Sequence, residues 1–184
     1  MEEMVITIDQ NIRLEQTAVK HAEGLLEAIN SSRAQLSEFL PWVPNMQSVG
    51  DLITYIRKCE QLYEQGLEVS FVIMLDDRPA GRIGLHYLNA FNQSAAIGYW
   101  LAENAQGKGI MVRSCKALID YGFKDLALHR IEIKAATLNL KSQAIPRKLG
   151  FQKEGILRQS EKVNGKFLDL VLYSVLHEEW NMDS

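Results

Sequence analysis

Several features that mark specialised classes of protein are scarce or missing in this sequence. Only two cysteines occur among the 184 residues, Cys59 and Cys115, and they do not form a C-x-x-C pair. Neither a disulfide framework nor a zinc site is therefore indicated. The four histidines are far apart, with no H-x-x-x-H spacing, and no G-x-S-x-G nucleophile motif occurs. The sequence accordingly predicts no metal centre and no catalytic triad.

Long apolar runs and a strong net charge are missing as well. No segment approaches the roughly 18 uninterrupted apolar residues of a membrane span, and Met1-Glu2-Glu3 lacks the basic start of a signal peptide. With 20 Lys+Arg against 23 Asp+Glu, the formal net charge of -3 provides no long-range attraction to nucleic acid or to an anionic membrane. These features predict a cytoplasmic protein that binds neither nucleic acid nor a membrane directly.

The residues that are present indicate one α/β domain over residues 1–184. Hydrophobic residues make up 47% of the chain, enough to enclose a core. The spacing of hydrophobic residues, with periods of two and 3.6, predicts the elements in chain order. The first half contains strand Ile12–Thr17, helix Ala18–Ile29, a bent connection Leu36–Pro44, helix Val49–Glu64, and strands Val69–Leu75, Ala80–Leu88 and Ala95–Ala102. The second half contains a helix from Met111 to about Gly122, strand Arg130–Ala136, a short helix, and strands Ile156–Val163 and Phe167–Leu176. Short loops imply antiparallel neighbours, and Asn164-Gly165 is typical of a two-residue hairpin turn. This order predicts one mixed α/β sheet.

A glycine-bearing segment, Gln106–Met111, follows a predicted strand and enters a predicted helix. The first N–H groups of a helix have no internal partner, and glycines let an anion approach the backbone, so the segment is a candidate phosphate site. A P-loop would need glycine at Ala102 and Ser or Thr at Gly109. A Rossmann fingerprint starting at Gly107 would need Gly or Ala at Val112. Both nucleotide motifs are therefore excluded, and a tight strand-to-helix turn without a ligand remains an alternative.

Further landmarks along the chain identify the family that this segment resembles. The pattern Gln106-x-x-Gly109-x-Met111 resembles the Gln/Arg-x-x-Gly-x-Gly/Ala pyrophosphate loop of the GNAT superfamily of acetyltransferases, with Met111 as a departure. Other segments resemble the branch that acetylates the N-termini of ribosomal proteins: Leu40-Pro41-Trp42, Arg130-Ile131-Glu132, Asn139-x-x-Ser142, Lys148-Leu149-Gly150-Phe151 and Leu172-Tyr173-Ser174. The resemblance spans roughly residues 10–180. It implies a mostly antiparallel central sheet that is splayed around a coenzyme A site and has helices on both faces.

The resemblance also implies a set of residues that would bind acetyl-CoA as co-substrate, without a metal. Backbone N–H groups of the loop would hold the pyrophosphate, and the edge of the preceding strand would pair with the pantetheine. The implied cofactor-binding residues are Tyr99, Trp100, Leu101, Gln106, Gly107, Lys108, Gly109, Ile110, Met111, Val112, Asn139 and Ser142. Because Tyr99 and Trp100 face opposite sides of a strand, one should be buried and the other should lie near the cofactor.

Candidate catalytic groups follow from the same resemblance. A main-chain N–H at Leu101 would stabilise the oxyanion, Ser142 would protonate the departing thiolate, and Glu161 would act as general base. Each side chain also has a purely structural interpretation, because Asn139 suits a helix N-cap with Ser142 in the first turn, and Glu161 suits a solvated strand end. Tyr173 and Glu103 are further proton-transfer candidates, although apolar neighbours favour core packing for Tyr173.

The acceptor that the resemblance favours is a protein N-terminal α-amine, with a ribosomal protein as the candidate partner. An α-amine with a pKa of ~7.7–8.0 costs only about 1 kcal/mol to deprotonate at pH 7, against about 4.6 for lysine. Direct transfer in a ternary complex is expected, because neither cysteine lies near a histidine in a recognisable arrangement. Two alternatives stay open: acetylation of a small amine such as an amino acid, polyamine or antibiotic, and a non-catalytic coenzyme A-binding module. A homodimer or higher homo-oligomer could form through an exposed final strand.

Overall fold

The computed structural model describes residues 4–180 as one eight-stranded sheet with helices packed against it. The strands are β1 (Val5–Thr7), β2 (Ile12–Gln16), β3 (Val69–Leu75), β4 (Arg78–Asn89), β5 (Ser94–Leu101), β6 (Arg130–Ala136), β7 (Gln152–Val163) and β8 (Lys166–Leu176). The α-helices are α1 (Ala22–Ser31), α2 (Arg33–Ser37), α3 (Val49–Glu64), α4 (Ile110–Lys124) and α5 (Leu140–Lys148). Short 3-10 turns lie at Val19–His21, Val43–Asn45, Glu103–Ala105 and His177–Glu179. The strand order β1-β2-β3-β4-β5-β6-β8-β7 confirms the predicted mixed α/β sheet.

Most elements lie close to their predicted bounds. α3, β3 and β6 begin and end at the predicted residues. The sequence does not predict β1 or α2, because three and five residues are too few to show a period. α2 begins just before the segment that was expected to be only a bent connection.

α4 ends at Lys124, two residues after Gly122, near which the sequence predicts its end. Gly122 is buried, and a Cβ atom there would lie 3.0 Å from Cδ1 of Ile131 on β6. This glycine therefore allows α4 to pack closely on the sheet and does not end the helix.

The sheet opens between β5 and β6, the only parallel pair of strands within residues 4–180. Their pairing starts at Ser94 with Arg130 and stops at Ile97 with Ile133. β5 nevertheless stays paired with β4 as far as Leu101, and β6 stays paired with β8 as far as Ala136. The second halves of β5 and β6 thus diverge, which confirms the splayed sheet that the family resemblance implies.

In the described part of the chain, two hydrophobic cores hold helices on both faces of the sheet. One face packs against α4 through Ile73, Ile83, Ile97, Cys115 and Leu118. The other packs against α1 and α3 through Leu25, Ile56, Val72, Met74 and Trp100. Adjacent strand residues therefore serve opposite cores, as the pleat of a β-strand requires. None of the helices within residues 4–180 combines the length and apolar character needed to cross a membrane.

The outermost strand at this end of the sheet is β7 and not the final strand, β8. The expectation of an exposed final strand is therefore wrong. β8 lies between β6 and β7 and is paired on both sides, because the hairpin places the last strand inside the sheet. The hairpin turn itself is confirmed: Asn164 and Gly165 have φ of 50° and 78°, as a type I′ turn needs. A β-bulge interrupts β7 between Leu157 and Glu161, and such irregularity makes a free edge a poor template for pairing with another chain.

Gly81 fixes the approach of β4 to β5 beside the opening. A Cβ atom at this position would lie 2.2 Å from the carbonyl oxygen of Trp100 and 3.0 Å from Cα of Leu101. We expect Gly81→Ala to lower the free energy of unfolding by about 3 kcal/mol, at the upper end of the cost of overpacking. Gly155→Ala on β7 is the matched control, because no atom of the described residues 4–180 lies within 4 Å of its added Cβ. Equal denaturation midpoints for the two variants would contradict this account.

Candidate active site

The loop between β5 and α4 has the geometry of an anion cradle. Gly107 and Gly109 have φ of 75° and 71°, a region that residues with a Cβ rarely adopt. No atom of residues 4–180 lies within 4 Å of the Cβ position of either glycine, so both face open space in the described part of the chain. Gly109 is the N-cap of α4, and no side chain caps the helix there. The N–H groups of Ile110, Met111 and Val112 can therefore meet a negatively charged group, whereas that of Arg113 already donates to the carbonyl of Gly109.

Beyond Ile97, no strand within residues 4–180 pairs with the edge of β5 that faces the opening in the sheet. The N–H of Ala102 donates to the carbonyl of Ala80 on the β4 side, at 2.8 Å. Since successive peptide groups of a strand point to opposite edges, the N–H groups of Tyr99 and Leu101 point away from β4. They lie beyond Ile97, the last residue of β5 that pairs with β6. An extended chain with amide groups, or a developing oxyanion, can therefore meet main-chain donors here.

The side chains of β5 alternate as the sequence predicts. Trp100 is 8% exposed and packs against Trp42, with ring centroids 5.9 Å apart. Tyr99 lies on the opposite face and packs against the core that contains α4. Of the two aromatic side chains, Tyr99 is thus the one on the face that carries α4 and α5.

Tyr99 joins β5 to the start of α5 across the opening. Its hydroxyl donates to the main-chain carbonyl of Ser142 at 2.8 Å, and the hydroxyl of Ser142 donates back to it at 3.3 Å. Asn139 is the N-cap of α5, and its Oδ1 accepts from the N–H of Ser142 at 3.0 Å. The structural interpretation of Asn139 as a cap is therefore confirmed. Burial raises the pKa of Tyr99, so its phenol stays protonated and can act as a fixed donor.

The other candidate proton-transfer groups lie in different surroundings. Glu161 is half-buried at the end of the β7 bulge, and burial raises the pKa of its carboxyl group. The side chain of Glu103 is exposed, while its N–H donates to Oγ of Ser32 at 2.8 Å. Tyr173 is 1% exposed. Its hydroxyl donates to Oε1 of Gln143 at 3.1 Å and accepts from Nε of Arg147 at 3.1 Å, so the packing interpretation is confirmed.

The side chain of Gln106 is engaged within the protein. Its Nε2 donates to the carbonyl of Leu101 at 3.0 Å and to Oε1 of Gln35 at 3.0 Å. Nε2 of Gln35 returns a hydrogen bond to Oε1 of Gln106 at 3.2 Å. Sequence reasoning does not single out Gln35, because it lies on the five-residue α2 and belongs to no motif.

These features fit acetyl-CoA. The open glycine loop and uncapped start of α4 suit a pyrophosphate, and the free edge of β5 suits the amides of a pantetheine arm. Among residues 4–180, no three His, Cys, Asp or Glu side chains are grouped so that they could hold a metal ion. Cys115 is fully buried, and burial raises the pKa of its thiol, so it is a poor nucleophile.

Comparison with known proteins agrees with this geometry. The model of the acetyltransferase (GNAT) domain matches residues 11–152. The chain is 36% identical over 174 residues to the putative ribosomal N-acetyltransferase YdaF of Bacillus subtilis (strain 168), covering 94% of this chain and 95% of that protein. It is 30% identical over 169 residues to the ribosomal-protein-serine acetyltransferase of Escherichia coli (strain K12), covering 92% and 94%.

A solved structure is similar over almost the entire chain. It is the ribosomal L7/L12 α-N-protein acetyltransferase RimL in complex with coenzyme A, with a TM-score of 0.91 and 26% identity, covering 98% of this chain and 100% of that one. The loop, the splayed strands and these matches agree on one assignment. The chain belongs to the GNAT acetyltransferase family and is an N-acetyltransferase that uses acetyl-CoA.

Proposed function

We propose that this enzyme acetylates the N-terminal α-amine of a protein, with a ribosomal protein as the first candidate. The observation that carries the proposal is similarity over more than nine-tenths of the chain to two acetyltransferases whose names specify ribosomal substrates. The chemistry of the site is consistent with this acceptor. Glu161, a carboxylate whose pKa is raised by burial, is a modest base. Such a base suffices for an α-amine, because deprotonating it at pH 7 costs only about 1 kcal/mol.

In this proposal the cofactor is held mainly by main-chain groups. The N–H groups from Gly107 to Val112 bind the pyrophosphate, and the edge of β5 from Tyr99 to Leu101 pairs with the pantetheine arm. Gln106 shapes the loop through its bond to the Leu101 carbonyl. Asn139 places the first turn of α5 beside the same opening. Acetyl-CoA supplies the activated acetyl thioester.

The proposed catalytic groups are Leu101, Ser142 and Glu161. The N–H of Leu101 stabilises the negative charge that develops on the acetyl oxygen, a contact that can be worth about 3–4 kcal/mol. Glu161 accepts the proton of the attacking amine. The single proton of the Ser142 hydroxyl is donated to the oxygen of Tyr99. As the thiolate departs, this hydroxyl rotates to give it that proton and takes another from water. The acetyl group passes directly to the amine, because Cys59 and Cys115 are both buried and offer no covalent relay.

The acceptor is tested with short peptides that share one sequence. We expect a peptide with a free N-terminal serine or alanine to gain one acetyl group at its α-amine, located by fragmentation mass spectrometry. The same peptide with a blocked N-terminus and a free lysine should react at least about 100-fold more slowly, given the difference of about 3.6 kcal/mol in the cost of deprotonation. Faster acetylation of the blocked peptide, or of spermidine, would replace the proposed acceptor with an alkyl amine.

A further inference from the structure

The short helix α2 is tied to both sides of the active site by polar contacts. At its start, Oγ of the buried Ser32 accepts from the N–H of Glu103, which precedes the glycine loop. In its middle, Gln35 pairs with Gln106 of the loop. At its end, the carbonyl of Ser37 accepts from Nδ2 of Asn164 at 2.8 Å. α2 therefore connects the loop to the β7–β8 hairpin.

Of these three contacts, the one between Gln35 and Gln106 is the one in which two side chains bond to each other. The two side-chain amides exchange hydrogen bonds of 3.0 and 3.2 Å, and Gln106 uses its second N–H on the Leu101 carbonyl. Both donors of Gln106 are thereby engaged, and its amide bridges α2 and the end of β5.

α2 depends on such contacts for its position. An isolated helix of five residues is unstable, since helices shorter than about 12–15 residues are marginal in water. The hairpin that α2 contacts through Asn164 also carries Glu161, on the same strand as the bulge. α2 therefore contacts the same hairpin that carries the proposed base.

We propose that Gln35 is a positioning residue that couples occupancy of the glycine loop to the placement of α2 on the acceptor side. This inference rests on the proposed sites for acetyl-CoA and for the acceptor amine. When the loop is ordered, the position of Gln106 is fixed, and its hydrogen bonds fix Gln35 and α2. The acceptor then binds to a surface that is already formed. Coupling between two sites is reciprocal, so a bound acceptor also favours the ordered loop.

Hydrogen exchange followed by mass spectrometry tests the coupling without any acceptor. In the wild-type protein, saturating acetyl-CoA should slow exchange of amides in residues 107–113 and in residues 33–40. In Gln35→Ala the loop should still be protected, whereas the protection of residues 33–40 should fall by about tenfold, within the usual range of coupling between sites. Gln61→Ala is the matched control, because Gln61 is exposed on α3, and it should behave as the wild type.

The outcomes separate this inference from the proposed function. Protection of residues 33–40 that persists in Gln35→Ala, or is absent in the wild type while the loop is protected, overturns the coupling alone. A loop that acetyl-CoA leaves unprotected overturns the proposed cofactor site and the coupling together. For any amine that the wild type acetylates, Gln35→Ala should raise the KM for that amine by about tenfold while the Kd for acetyl-CoA changes less than about threefold. A purely structural role would instead lower the melting temperature and leave the KM unchanged.

Discussion

Replacing Gly109 with valine is expected to weaken acetyl-CoA binding by about 100-fold, or about 2.7 kcal/mol. A valine side chain would occupy the open space beside the first turn of α4 and block the approach of a phosphate to the main chain. Hydrogen bonds to a charged group contribute about 1.5–3 kcal/mol each, so the loss of one or two backbone donors accounts for the effect. Isothermal titration calorimetry with acetyl-CoA measures it, and kcat/KM should fall in parallel.

The matched control for this variant is Gly150→Val. Gly150 also has a positive φ, 78°, and no atom among residues 4–180 lies within 4 Å of its Cβ position. It follows α5, however, and lies outside the loop. Both variants should therefore lose a similar 1–3 kcal/mol or so of stability through backbone strain. Only Gly109→Val should lose affinity for acetyl-CoA. Equal losses of affinity in the two variants would show that general destabilisation, and not the cradle, is responsible.

The parts of the fold that the sequence predicts are those in which the local pattern and the tertiary contacts agree. β3 is hydrophobic at nearly every position because both of its faces meet a core, and β6 alternates clearly. The Asn164-Gly165 turn is predicted because few dipeptides adopt two consecutive positive φ angles easily. β1, by contrast, has only three residues and is defined by its pairing with β2, which no local pattern records.

The candidate site is predictable to the extent that it depends on backbone conformation. Gly107 and Gly109 mark the loop because only a residue without a Cβ adopts their φ angles at no steric cost. Side chains that contact each other from distant parts of the chain produce no local sequence pattern. Gln35 and Gln106 are 71 positions apart, and Tyr99 and Ser142 are 43 apart, so their contacts follow from the packing of α2 and α5 against the sheet. An isolated glutamine or tyrosine carries no signal of that placement in one sequence.

Glu161 is both a half-buried carboxylate that affects the stability of the fold and the proposed general base, and one substitution can separate these two roles. Burial raises the pKa of its carboxyl group in the folded protein above the unfolded value. Stability from this group is therefore fully present below the unfolded pKa and is lost as the pH rises through the folded pKa. An ionised Glu161 consequently costs the folded protein free energy at neutral pH, while the same ionised form is the one that can accept a proton from an amine.

Glu161→Gln should therefore make the enzyme slower and more stable at the same time. We expect kcat/KM to fall by about 100-fold, the lower range for loss of a general base, and the acidic limb that belongs to Glu161 to disappear from the pH profile. The limb at about 7.7–8.0 that belongs to the acceptor α-amine should remain. The denaturation midpoint should exceed that of the wild type at pH 8, and the difference should vanish by about pH 3, where the carboxyl group is protonated in both states.

Glu64→Gln, at the exposed end of α3, is the control and should change neither kcat/KM nor the denaturation midpoint. A Glu161→Gln variant that gains stability at pH 8 but keeps its rate and its acidic limb would leave Glu161 a half-buried structural carboxylate and assign the proton of the amine to another group or to water.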